Sequence, residues 1–167
     1  MKAGITGHQN IGSPDDIVWV KQMLAERIVD EHITSGFASL AVGADQLFAS
    51  LLREHSIHYT AVIPCTDYEK TFSSSNALRS FENLRSEAFD VIVLPYQKPE
   101  EAAFWEAGKK IVELSEIILA VWNGLPAKGL GGTADVVRFA LENNTRVIHI
   151  DPVKRRVVDA VDSATNS

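Results

Sequence analysis

Cysteine is nearly absent: Cys65 is the single one in 167 residues. This excludes an internal disulfide and any metal site built from several thiolates. Long apolar runs are missing too, since none approaches the ~20 residues that a membrane-crossing helix needs. The chain reaches Gly4, Gly7 and His8 too soon to hold the apolar region of a signal peptide, so a cytoplasmic protein is expected. Basic stretches are equally scarce. Lys and Arg total 16 against 22 Asp and Glu, for a net charge of −6, and the basic cluster Lys154-Arg155-Arg156 stands near the end. Phosphate contacts supply most nucleic-acid affinity, so a nucleic-acid partner is not expected. No metal-ligand cluster, internal repeat or linker breaks the chain, and no metal, cofactor or membrane contact is expected. What is present is ordinary globular material, 46% hydrophobic and 23% charged, long enough for one domain with a sizeable core.

Apolar segments alternate between two periods. Short runs at Lys2–Thr6, Phe37–Val42, Ile57–Ile63, Val91–Leu94, Ile117–Val121 and Arg146–Ile150 read as strands. Between them lie helical patterns. The first starts at Ser13 as N-cap with Pro14 in the first turn and runs to about His32. Others follow Gly43-Ala44-Asp45, span Leu78–Phe89 and Pro99–Leu114, and open at Thr133. Cys65–Ser75 has no period and reads as a loop. Strands that are apolar on both faces and alternate with helices predict an α/β, Rossmann-like, three-layer domain. It has a mostly parallel sheet of about six strands, with helices on both faces. That domain is expected over residues 1–152, with a polar tail over 153–167.

The stretch Val121–Val137, VWNGLPAKGLGGTADVV, organises the functional reading. A strand ends at Trp122-Asn123-Gly124, a loop carries Gly129, Gly131 and Gly132, and Thr133-Ala134-Asp135 opens a helix. The first N–H groups of a helix lack internal partners, and the helix dipole places partial positive charge there. Paired glycines clear side chains from those donors, so a phosphate is the natural guest. Other strand ends bring Gly7-His8-Gln9 and Gly43-Ala44-Asp45 to the same rim, because right-handed crossovers gather such loops on one edge.

Three stretches, Gly4-Ile5-Thr6-Gly7-His8, Ala41 to Ala49 (AVGADQLFA) and Gly131-Gly132-Thr133-Ala134-Asp135, resemble the SLOG superfamily of Smf-type DNA-processing proteins and Lonely Guy phosphoribohydrolases. The resemblance runs over roughly Lys2 to Ile150. It implies a Rossmann-like domain that binds a nucleotide or nucleotide-derived ligand, and a homodimer. Phosphoribohydrolases of this superfamily carry Pro-Gly-Gly-x-Gly-Thr-x-x-Glu at this loop. Here the position of the terminal Glu holds Val136, with Asp135 one residue earlier, about 100° round a helix.

The binding candidates are Gly7, His8, Gly43, Asp45, Asn123, Gly124, Gly129, Gly131, Gly132 and Thr133. Asp45 and Asp135 are the catalytic candidates in the alternative, enzymatic reading, cleavage of a nucleoside monophosphate at its N-glycosidic bond. A third reading is single-stranded DNA binding, as in Smf-type relatives. Each residue also has a structural reading. Asp45 and Asp135 sit where first-turn carboxylates suit the helix dipole, Thr133 is a capping residue type, His8 suits a solvated turn, and Trp122 suits the core at the sheet edge. Cys65 reads as buried packing. Arg79, Arg85 and Glu106 read as solvated helix faces, and Tyr68 and Phe72 either cover a base or pack.

Overall fold

The computed structural model describes residues 1–127 and 129–160. Seven strands form one sheet: β1 (Lys2–Gly7), β2 (Ser35–Ala38), β3 (His58–Ile63), β4 (Asp90–Val93), β5 (Ile117–Val121), β6 (Arg146–Asp151) and β7 (Arg156–Ala160). Five α-helices connect them: α1 (Pro14–Asp30), α2 (Ala44–Glu54), α3 (Ser75–Glu87), α4 (Glu101–Leu114) and α5 (Thr133–Glu142). The strand order is β4-β3-β2-β1-β5-β6-β7. All neighbours run parallel except β6 and β7, which pair antiparallel. This is the expected Rossmann-like architecture with one more strand than the sequence pattern predicted.

The handedness of crossovers explains the layers. From β1 to β4 the chain steps outward in one direction, so α1, α2 and α3 cover the same face. There Val20, Leu24, Phe48, Leu52 and Phe81 pack with Ile5, Leu119 and Ile150. The chain then returns and steps the other way from β5 to β6, so α4 and α5 cover the opposite face. Ile111, Val136 and Ala140 pack there with Val62, Ile118 and Val147. Strand residues alternate between the two cores, as the period of two requires.

Three local outcomes differ from the sequence pattern. Strand β2 stops at Ala38 instead of continuing to Val42. Leu40 takes a left-handed φ of 59°, and the N–H groups of Ser39 and Ala41 donate to the Asp45 carboxylate, at 3.1 and 3.3 Å, in place of a strand partner. The loop after β3 contains a short 3-10 turn over Tyr68–Thr71, and α3 begins at Ser75, capped by the Ser74 hydroxyl, three residues before the predicted start. Finally, Arg156–Ala160 falls in the stretch expected to be a polar tail and is instead β7. Asp151 Oδ1 accepts from the N–H groups of Val153 and Lys154, both at 3.0 Å, and so holds the turn that returns β7 onto β6. Residues 161–167 of that stretch lie outside the described residues.

Candidate functional site

Neighbouring strands β1 and β5 lead their chains away in opposite directions, one toward β2, the other toward β6. The crevice beyond their carboxyl ends is where open α/β sheets bind ligands. A cavity of about 440 Å³ lies there, within the usual range for a small-molecule site. Its floor is the end of β1, Ile5 to Gly7, and one wall is Ser39, Ala41 and Asp45 from the β2–α2 turn. Glu101 and Phe104 of α4 stand opposite, and Gly129 to Thr133 close the mouth. Gly7 has a steric reason to be glycine: a Cβ on it would come 2.6 Å from the Cβ of Ala44.

The glycine loop rests directly on α4. Gly131 has φ +83°, and a Cβ there would lie 2.7 Å from the backbone nitrogen of Trp105, so only glycine fits without strain. Part of the loop's donor supply is spent internally. Gly131 N–H donates to Asp135 Oδ2 at 3.2 Å, and the N–H groups of Asp135 and Val136 donate to the Gly132 carbonyl. Among the described residues, the N–H groups of Gly132, Thr133 and Ala134 have no hydrogen-bond partner. They begin α5, where the helix dipole favours negative charge.

Asp135 itself does not line the cavity. Its carboxylate holds Gly131 N–H on one side and Arg138, at 2.7 Å, on the other. The structure therefore gives it a loop-fastening contact, and the side chain is committed away from the crevice.

Asp45 is different. It is 7% exposed and lines the cavity. Its Oδ2 accepts the Ser39 and Ala41 N–H groups. Its Oδ1 has no protein partner among the described residues, yet it is not among the sealed, unbonded polar atoms, so it faces open space. Burial outweighs the two backbone hydrogen bonds and pushes its pKa up from 3.8 to about 7. The same burial, with Asp45 nearby, holds the Tyr68 hydroxyl well above its usual range.

The structure brings Gly7, Asp45, Gly129, Gly131, Gly132 and Thr133 to one cavity, while His8, Gly43, Asn123, Gly124 and Asp135 do not line it. His8 and Asn123 brace its rim. Asn123 N–H donates to His8 Nε2 at 3.2 Å, and His8 N–H donates to the Val121 carbonyl at 3.0 Å. His149 Nε2 lies 2.6 Å from the Trp122 carbonyl, which requires a proton on that nitrogen. Gly43 has φ +92° and N-caps α2, which turns Asp45 inward. Gly124 has φ +82° within the turn that leaves β5.

Glu101 is a lining residue that sequence reading missed. Its Oε1 would lie 2.5 Å from a Cβ on Gly129, so its carboxylate sits against the loop. Its position in the first turn of the helix after β4 is a signal, but the pair Glu100-Glu101 reads equally well as dipole-favoured helix acid. Cys65, by contrast, is fully buried, and burial pushes its thiol up.

Known structures share this architecture. DNA processing protein A from Streptococcus pneumoniae superposes with a TM-score of 0.62 at 15% identity, covering 89% of this chain and 49% of that one. DNA processing protein A from Helicobacter pylori, described with a single-stranded DNA binding mode, gives 0.64 at 14% identity and covers 92% and 70%. The molybdenum cofactor binding protein from Rippkaea orientalis gives 0.54 at 19% identity and covers 90% and 76%. No family model matches the sequence, and no curated protein matches it. The likeness shows the fold: the chain has the Rossmann-like α/β fold that these structures share. The chain spans about half the length of the pneumococcal protein, and the activities of these proteins are theirs. Among the described residues no helix is long and apolar enough to cross a membrane.

Proposed function

We propose that this chain binds a nucleotide or nucleotide-derived ligand in the crevice between β1 and β5, with a phosphate at Gly131–Thr133. The observation that carries this is the set of N–H groups at Gly132, Thr133 and Ala134 that have no partner among the described residues, at the start of α5, where Gly132 and Thr133 line the cavity. Such a terminus binds anions through its amides and its dipole together. Titration calorimetry against nucleoside mono-, di- and triphosphates, NAD and ADP-ribose tests it. Saturable binding of at least one of them, weakened tenfold or more by Gly131→Ala, is expected; no binding by any of them overturns it.

A second reading is favoured by Asp45. A carboxyl group with a pKa of about 7 exists in both forms near neutrality, which suits acid–base work. In this reading the chain cleaves the N-glycosidic bond of a nucleoside monophosphate. The C–N bond breaks with its electron pair going to the base, the Asp45 carboxylate stabilises the oxocarbenium centre, and water adds to the sugar carbon, losing a proton that passes through Asp45 to the released base. Asp135 fits that role less well because Gly131 and Arg138 already hold it. Chromatography for released base decides: release abolished by Asp45→Asn supports the reading, and release that survives it refutes the assignment.

The expectation against nucleic acid gains no support from the structural likenesses, since one of the neighbours is described as binding single-stranded DNA. A gel shift over a salt series tests that partner here. The homodimer remains an expectation, and light scattering of the purified chain tests it.

A further inference from the structure

A second cavity, of about 450 Å³, adjoins the first on the side of α1, α2 and α3. Gln9 and Val42 line both, so this pair stands between the two spaces. Their linings differ in chemistry. The first carries two carboxylates, Asp45 and Glu101, with the hydroxyls of Thr6, Ser39, Thr71 and Thr133. These acceptors suit the hydroxyl donors of a sugar beside the glycine loop. The second carries amides and hydroxyls over an apolar floor of Ile11, Leu47 and Leu84. Among the described residues, the side chains of Gln9, Ser50, Ser80 and Asn83 make no hydrogen bond. Gln46 donates to the Leu40 carbonyl at 3.1 Å, which leaves its own amide oxygen as an acceptor. The cation in this lining, Arg53, is already paired with Glu87 at 3.0 Å.

We propose that the ligand is divided between these spaces: its phosphate and sugar lie in the first cavity, and an uncharged heterocyclic base lies in the second, passing Gln9 and Val42. Carboxamides present a donor and an acceptor side by side, which is how Asn and Gln read base edges. An apolar floor takes the base's face. Two of the three aromatic side chains of the first cavity, Phe72 and Tyr68, are poorly placed to compete for the base, and Phe104 stands on the opposite wall, on α4 beside the glycine loop. Phe72 is stacked on Phe81 with ring centroids 4.6 Å apart, and Tyr68 meets both rings edge-on at 5.4 Å.

This assignment rests on the phosphate-binding reading above, and its test separates the two. Ribose 5-phosphate and the four nucleoside 5′-monophosphates (AMP, GMP, CMP and UMP) are titrated calorimetrically into the wild-type chain and into Ser80→Trp and Asn83→Ala. Ser80 and Asn83 are exposed positions of α3, and unchanged melting confirms folding. In the wild type, at least one monophosphate is expected to bind tenfold or more tighter than ribose 5-phosphate. Ser80→Trp is expected to remove that gain and to keep ribose 5-phosphate within twofold. Asn83→Ala is expected to change the ranking of the bases. The assignment is overturned alone if ribose 5-phosphate binds and no base adds affinity, or if the monophosphates keep their advantage and their ranking in both variants. If neither ribose 5-phosphate nor any monophosphate binds, this assignment falls, and the phosphate reading falls with it only when the nucleoside di- and triphosphates, NAD and ADP-ribose also fail to bind.

Discussion

At the scale of single residues, Asp45 has the clearest physical signature. Its carboxyl pKa rises from 3.8 to about 7 because burial disfavours the charge. Below pH ~4 both folded and unfolded chains hold the proton, and the group is neutral toward stability. As pH rises toward 7 the unfolded chain releases it first, so stability falls; above that value the full penalty stands, at most ~4 kcal/mol for a shift of about three units. Asp45→Asn keeps an oxygen for the Ser39 and Ala41 amides and removes the charge. It is expected to raise Tm at pH 8 and to lose that advantage near pH 4, by calorimetric melting. An equal change at both pH values would show that the carboxyl is not buried as charged cargo. Gly131 supplies a second residue-level prediction. A side chain at φ +83°, 2.7 Å from the Trp105 backbone, costs ~1–3 kcal/mol. Gly131→Ala is expected to lower urea stability by that amount, whereas a loss under 0.5 kcal/mol in magnitude, roughly the scatter of neutral surface changes, would mean the loop adapts freely.

At the scale of elements, caps and clamps decide where the chain turns. Ser13 and Asp16 form a reciprocal capping box at the start of α1, and Ser13→Ala is expected to cost ~1 kcal/mol in urea unfolding. Strand β7 is held at the edge by Arg146, whose guanidinium reaches Asp159 at 2.7 Å and Glu31 as well. These groups are partly exposed, so the pairs contribute only ~1 kcal/mol or less. Arg146→Ala is accordingly expected to speed hydrogen exchange of the Val157–Ala160 amides several-fold with little change in global Tm. Exchange unchanged at β7 would assign the strand's order to backbone pairing alone. The same elements show what sequence made legible. Apolar runs such as Ile117–Val121 and capped helices such as α1 were readable because their signals are local. The end of β2 was not, because a carboxylate four to six residues away takes the amides that a longer strand would have used. Strand β7 was hidden by its polar alternation, with Arg156, Val158 and Asp159 exposed at an edge.

At the scale of the whole molecule, strand order converts local loops into a site. Because β1 and β5 are neighbours, residues about 90 positions apart in sequence, Val42 and Asp45 on one side and Gly129–Thr133 on the other, face one cavity. Sequence reading placed both at strand ends and could therefore gather them on one rim. It could not separate Asp45, turned inward by Gly43, from Asp135, turned back onto Gly131, since both occupy first helical turns. Glu101 was invisible as a site residue for the same reason. The most direct test of the phosphate-binding proposal is a ¹⁵N–¹H NMR titration with nucleoside mono-, di- and triphosphates, NAD and ADP-ribose in turn, following the backbone amides of the loop. Saturable shifts at Gly132, Thr133 and Ala134, with a common Kd, are predicted. Ligand-induced shifts that saturate elsewhere while these three amides stay fixed, or no saturable shift at all, would contradict it.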